Sequence, residues 1–156
     1  MRRQKILIEP KAIEVDLTNL AKELNGYCFN NKIMMLNINR INDTTHIQDN
    51  SANIAMRLDT VCIILVTEGT LSLSIDYKQI EIKKNTLLFI SPFNILENPT
   101  LSDEGRYYVL MFKKDFIEEI TSTSSYQIDP AKIISASEVE PFIKLSDYQM
   151  FSIQRH

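Results

Sequence analysis

Glycine is scarce in this sequence: there are three in 156 residues, at positions 26, 69 and 105. Scattered in that way they cannot form the glycine-rich loop whose backbone amides cradle a phosphate, and turns must be built from Asn, Asp, Ser and Pro instead. Cysteine is as sparse. Cys28 and Cys62 are the only two, which excludes a disulfide framework, and Cys62 lies inside the apolar run Val61 to Val66, where a free buried thiol acts as a small hydrophobe. Histidine is limited to His46, in a polar stretch, and His156, the last residue. A catalytic metal held by imidazoles needs several converging ligands, and a nucleophilic triad needs a base within hydrogen-bond reach; neither is provided for. Long apolar runs are missing too. Ile6-Leu7-Ile8 is far shorter than the core of a secretory signal, and no run approaches membrane-spanning length, so a cytoplasmic location and no membrane partner are expected. Finally, there is no excess of positive charge. At a net −3 the chain lacks the clustered Lys and Arg that displace counterions from nucleic acid, and Arg2, Arg3 and Lys5 read as a solvated tail.

What is present is an ordinary globular composition, 44% apolar and 24% charged, too apolar for intrinsic disorder. A chain of this length buries roughly 70% of its unfolded surface, which suits a single core.

The organising stretch runs from Val61 to Phe116, a series of short apolar or alternating runs separated by turn-forming residues, as successive antiparallel strands are. Leu71, Leu73 and Ile75 alternate with Ser72, Ser74 and Asp76, sending apolar side chains to one face. Ile80 and Ile82 continue the alternation beyond the turn at Asp76-Tyr77-Lys78, which predicts a hairpin over Thr70 to Ile82. Gly69 precedes it where a bend or bulge needs a backbone free of Cβ. Before this stretch the sequence predicts a loose arm to Pro10, a short amphipathic helix over Asp16 to Asn25 capped by Asp16 and stopped at Gly26, a strand over Ile33 to Ile38, a polar connection over Asn39 to Asn53, and a strand over Ile54 to Leu58. After it, Ser122-Thr123-Ser124-Ser125 and Asp129-Pro130 mark a loop. Ser146-Asp147-Tyr148-Gln149 fits a capping box that opens a last helix. That helix stops at His156 after about three turns, so a continuation is expected.

The order strand, Glu68-Gly69, alternating hairpin, Lys83-Lys84-Asn85-Thr86, apolar strand Leu87 to Ile90, Ser91-Pro92, followed by Val109-Leu110-Met111-Phe112-Lys113-Lys114-Asp115-Phe116-Ile117, resembles the cupin-type sensing domain of AraC-family bacterial transcription regulators. The resemblance covers roughly Leu17 to His156 and rests on glycine, proline and phenylalanine among apolar strands. It implies a mainly β fold, an antiparallel cupin-like barrel (double-stranded β-helix, or jelly roll) with flanking C-terminal helices. It also implies an arm, helix and barrel over residues 1–121, and a linker with the start of a dimerisation region over 122–156. The helix-turn-helix DNA-binding domain of such regulators is not in this chain, so DNA would be reached only through that missing part. Where metal-binding cupins carry a histidine shortly after the proline, this sequence reads Pro92-Phe93-Asn94-Ile95-Leu96-Glu97. Glu68, Glu81, Glu97 and Asp103 are scattered through turns and outward positions. Neither a metal nor another cofactor is expected, and no enzymatic activity.

A small barrel either fills itself with side chains or leaves room for one small molecule. Arg57, Phe89, Tyr107 and Val109 are the candidates to line such a space and meet a small-molecule effector, a sugar or another metabolite. Arginine offers a rigid fork of donors and tyrosine an apolar body with a polar tip. Two faces compete for that role: Tyr107 shares one with Val109 and Met111, Tyr108 the other with Leu110 and Phe112. Phe142, Tyr148 and Phe151 are the candidate dimerisation residues of a homodimer. The expected function is therefore effector sensing and dimerisation in an AraC-type regulator. The rival readings are a free-standing cupin-like enzyme, a sugar isomerase or epimerase, and an interaction module that senses nothing.

Overall fold

A computed structural model describes residues 12–39, 55–92, 94–123 and 141–155. The arm to Pro10, residues 40–53 of the polar connection with His46, the loop at Asp129-Pro130 and His156 lie outside the described residues.

Leu17–Glu23 forms α1 because Asp16 caps it, its carboxylate accepting the Asn19 amide at 3.1 Å, and because Leu17 and Ala21, one turn apart, are both buried. The helix packs against β2 and β3 and adds Leu17 and Ala21 to the core. The strands are β1 (Ala12–Ile13), β2 (Tyr27–Phe29), β3 (Ile33–Asn39), β4 (Arg57–Leu58), β5 (Thr60–Glu68), β6 (Leu71–Ile75), β7 (Lys78–Ile82), β8 (Thr86–Ile90), β9 (Leu96–Leu101), β10 (Arg106–Lys113) and β11 (Phe142–Lys144). β10 runs directly into α2 (Lys114–Thr123), and α3 spans Asp147–Arg155. The fold is mainly β and antiparallel, as expected.

Two sheets carry it, a six-stranded one in the order β11-β8-β5-β10-β3-β2 and a three-stranded one in the order β7-β6-β9. β1 and β4 pair separately, in parallel. The inner faces of the two sheets share one core in which Met34, Cys62, Val66, Leu88, Tyr107, Val109 and Met111 meet Leu71, Leu73, Ile75 and Ile82. Each such aliphatic side chain contributes about 1.5–3 kcal/mol by leaving water. The two antiparallel sheets face each other as in the expected jelly roll, and they do not close into one continuous barrel. Among the described residues β6 and its two partners share no strand pairing with the six-stranded sheet, and the bridge between Met56 and Leu96 joins β9 to the residue just before β4, so the two sheets form an open sandwich. The chain crosses between the two sheets at Gly69. Its φ of +78° turns the chain out of β5 and across to the second sheet instead of continuing the first.

The hairpin of β6 and β7 turns on Asp76 and Tyr77, with φ of 50° and 67°, the left-handed pair that a two-residue turn between twisted strands demands. No glycine supplies it. Asp76 is stabilised there by accepting from Asn94 Nδ2 at 2.8 Å and the Ile95 amide at 2.9 Å, while Asn94 Oδ1 accepts the Ser91 amide at 2.8 Å.

Candidate functional site

The strand register decides which side chains can meet a ligand. Tyr107, Val109 and Met111 stand opposite Val66, Ile64 and Cys62 on β5, and all three are buried on the inner face. Tyr107 is fully buried. Its Oη donates to the Thr70 carbonyl, accepts from the Ser102 amide at 3.1 Å and lies 3.2 Å from Ser102 Oγ, so its polar tip is committed to closing the chain between β9 and β10. Phe89, expected beside Tyr107 and Val109, stands on the opposite face of the sheet across from Ile63; Leu88 and Ile90 are the buried, inward residues of β8. Arg57 lies apart from all of them. It borders a cleft of about 320 Å³ with Asp59, Pro92 and Lys113, where Lys113 Nζ meets Asp59 Oδ2 at 3.0 Å and donates to the Val15 carbonyl, and Asp59 Oδ1 accepts the Val15 amide at 2.9 Å. Those bonds tie the β1 end of the chain to β10. Of the four candidates, only Tyr107 and Val109 are brought together.

A larger groove, about 480 Å³, opens on the other side of the sheet between the ends of β3, β5 and β10 and one side of α3. Its volume falls in the range of small-molecule sites. The strand side presents Asn37, Glu68, Arg106 and Tyr108, the turn before β8 adds Lys84 and Asn85, and α3 adds Asp147, Met150, Phe151 and Gln154. A β-bulge builds its charged end. Arg106 pairs with Glu68, yet Tyr107 pairs with Val66, leaving Thr67 as the extra residue, and Thr67 Oγ1 donates to the Arg106 carbonyl at 3.0 Å. Bulges re-aim side chains in this way. The result is an ion pair, Arg106 Nε to Glu68 Oε2, at 3.5 Å, with both side chains about half exposed.

The helix side is anchored at Asn85. Its φ of 64° is one that asparagine tolerates. Its side-chain amide donates to Asp147 Oδ1 at 3.2 Å, its carbonyl accepts the Leu145 amide at 2.7 Å, and its own amide donates to the Val66 carbonyl at 2.8 Å. The predicted capping box is present: the Ser146 amide donates to Gln149 Oε1 at 2.8 Å and the Gln149 amide to Ser146 Oγ at 3.2 Å. Met150 is buried, whereas Tyr148 and Phe151 are 79% and 61% exposed and Phe142 on β11 is 40% exposed.

Cys62 is a free, buried thiol, and burial pushes its pKa up to about 12, which makes it inert at neutral pH. Among the described residues no three His, Cys, Asp or Glu side chains gather where a metal could be held, and no helix is long and apolar enough to cross a membrane. Sequence reasoning missed Glu68 and Arg106 as partners. The available signal was their flanks, since Glu68-Gly69 and Gly105-Arg106 set opposite charges beside glycines at the ends of two strands.

No protein-family model matches the chain, and no curated protein matches its sequence. Solved structures similar to it include an RmlC-like cupin from Shewanella frigidimarina, at 14% identity over 58% of this chain and 77% of that one with a TM-score of 0.39. The E162A mutant of Bacillus subtilis oxalate decarboxylase is similar at 9% identity over 74% of this chain and 34% of that one, with a TM-score of 0.37. ToxT from Vibrio cholerae is similar at 13% identity over 77% of this chain and 51% of that one, with a TM-score of 0.35. Likenesses this distant carry no functional conclusion.

Proposed function

We propose that this chain is the effector-sensing and dimerisation domain of an AraC-type transcription regulator, acting without enzymatic chemistry and in the cytoplasm. The observation that carries the reading is the position of the groove, walled on one side by strand ends and on the other by α3. Tyr148 and Phe151 stand exposed on that same helix, close in sequence to Phe142. An effector seated there touches the sheet and the helix at once. It thereby binds two placements of α3 with different affinity, which is the requirement for coupling a small molecule to subunit pairing. A homodimer formed through Phe142, Tyr148 and Phe151 covers the exposed aromatic rings, and DNA is reached through a helix-turn-helix domain outside these residues. The effector site moves, in this reading, from the inward side chains first considered to the groove beside α3.

Sedimentation equilibrium over micromolar to millimolar protein tests the pairing. A dimer is expected, with the combined Tyr148→Ala and Phe151→Ala substitutions weakening it at least roughly tenfold. A chain that stays monomeric throughout refutes dimerisation. Stoichiometric metal in the purified protein, with turnover lost on chelation, refutes the non-enzymatic part.

A further inference from the structure

The geometry points to an α-amino acid, bound as its zwitterion across Glu68 and Arg106, as the ligand of the groove beneath α3. This inference rests on the sensing reading and adds the class of effector to it. Arg106 meets Glu68 through Nε, at a long 3.5 Å. The two terminal nitrogens of its guanidinium therefore remain available as a fork, which matches a carboxylate with two parallel hydrogen bonds. Glu68 engages through Oε2, leaving Oε1 for an ammonium group. An α-amino acid carries both charges on one carbon, so one molecule can bridge two protein charges that already lie side by side. The exchange is cheap because the existing pair is exposed and worth little on its own.

The rest of the lining fits the same ligand. Glu68 and Asp147 balance Lys84 and Arg106 around the groove, so a ligand with net charge would leave an excess that a zwitterion does not. Asp147 is already occupied by Asn85, which leaves the Glu68 and Arg106 end as the charged end for recognition. Asn37 offers an amide opposite Tyr108 in the register, and the Tyr108 ring, 44% exposed, offers an apolar surface to a side chain. Arg106 is also well placed by its neighbours. Gly105 lies so close to Tyr107 that a Cβ there would overlap the phenol oxygen and ring, and Tyr107 is fixed by its three polar contacts. The backbone that carries Arg106 is thereby held in place between two constrained residues.

The test is a nuclear magnetic resonance titration of the intact chain. The probes are the twenty common L-amino acids, glucose and myo-inositol as neutral polyols, and succinate and phosphate as anions. For the amino acid that binds most tightly, the matching decarboxylated amine and N-acetyl acid are titrated next. At least one free amino acid is expected to shift the backbone amides of Asn37, Thr67 and Tyr108, with both derivatives failing. Arg106→Gln and Glu68→Gln should each weaken binding at least roughly tenfold, and Arg106→Lys, which keeps charge but loses the fork, should weaken it less. Circular dichroism melts of these exposed-site variants confirm that they fold. The inference is overturned if a polyol or an anion binds in the groove while amino acids do not, if the substitutions leave amino-acid binding unchanged, or if nothing in the panel binds. The sensing reading fails by a different result: an amino acid that binds as described but leaves the monomer–dimer equilibrium unmoved. A polyol that binds and shifts that equilibrium sinks the ligand class alone.

Discussion

Replacing Gly105 by alanine is the sharpest probe of how the core reaches the groove. The added Cβ would overlap the phenol oxygen and ring of Tyr107, and that ring cannot swing aside into solvent because Tyr107 is fully buried. Either the β9–β10 connection shifts or the ring does. Overpacking of a tight core costs about 1–3 kcal/mol. A displaced ring also strands the hydrogen bonds that Tyr107 Oη makes with Thr70 and Ser102, a further loss of about 1 kcal/mol or more. Together these give a destabilisation of about 2–4 kcal/mol, a large part of the ~5–15 kcal/mol that holds a typical domain folded. Urea unfolding followed by far-ultraviolet circular dichroism measures it, since there is no tryptophan to serve as a fluorescent reporter. With a urea slope of about 2 kcal/mol per molar, the midpoint should fall by about 1–2 M. The decisive step is a double-mutant cycle with Tyr107→Ala, which vacates the space that the added methyl group needs. The two changes should then cost at least about 1 kcal/mol less together than the sum of their separate costs. Additive costs, or a Gly105→Ala protein within about 0.5 kcal/mol of the parent, would refute the tight contact between Gly105 and Tyr107, and with it the claim that the backbone at Arg106 is held in place by it.

Asp76→Ala removes two acceptor interactions and places a Cβ residue without a local hydrogen bond at a φ of 50°; a loss of about 2–3 kcal/mol is expected in urea unfolding. Cys62, with its pKa raised from 9.0 to about 12, should stay unmodified by iodoacetamide at pH 8 in the folded chain while the half-buried Cys28 reacts first. Because the unfolded thiol ionises at lower pH than the folded one, the Cys62 contribution to stability is full below pH 9 and is lost as pH rises from 9 toward 12; a urea midpoint that climbs across that window contradicts it. Ser146→Ala takes the oxygen from the capping box of α3 and should cost about 1 kcal/mol, read as faster hydrogen exchange at the Gln149 and Met150 amides with β5 and β10 unaffected.

What could be read from the chain and what could not divide according to the range of the interactions involved. The helix at Leu17, the hairpin around Asp76 and the capping box at Ser146 each depend on residues within a few positions of one another, where periodicity and capping chemistry act. Whether the two sheets close on each other depends on long-range pairing: the chain crosses from β5 to the second sheet at Gly69, and no local pattern says whether the sheet edges then meet. The site was less legible still. Alternation along β10 separates Tyr107 from Tyr108 without saying which faces the core, because both faces of that strand are apolar: Val109 and Met111 on one side, Leu110 and Phe112 on the other. The side carrying Tyr107 is inward since it meets β6 and β7, a pairing no local pattern encodes. Glu68 and Arg106 became neighbours only through the bulge at Thr67. In an unbulged ladder, continuing from Tyr107 opposite Val66, Arg106 would face Thr67 and Glu68 would fall one step beyond it. One extra residue in β5 thus converts a threonine opposite an arginine into a charge pair at the mouth of a groove. Two charges beside two glycines can be seen in the sequence; that they stand opposite each other is a property of register, and register is set by the whole sheet.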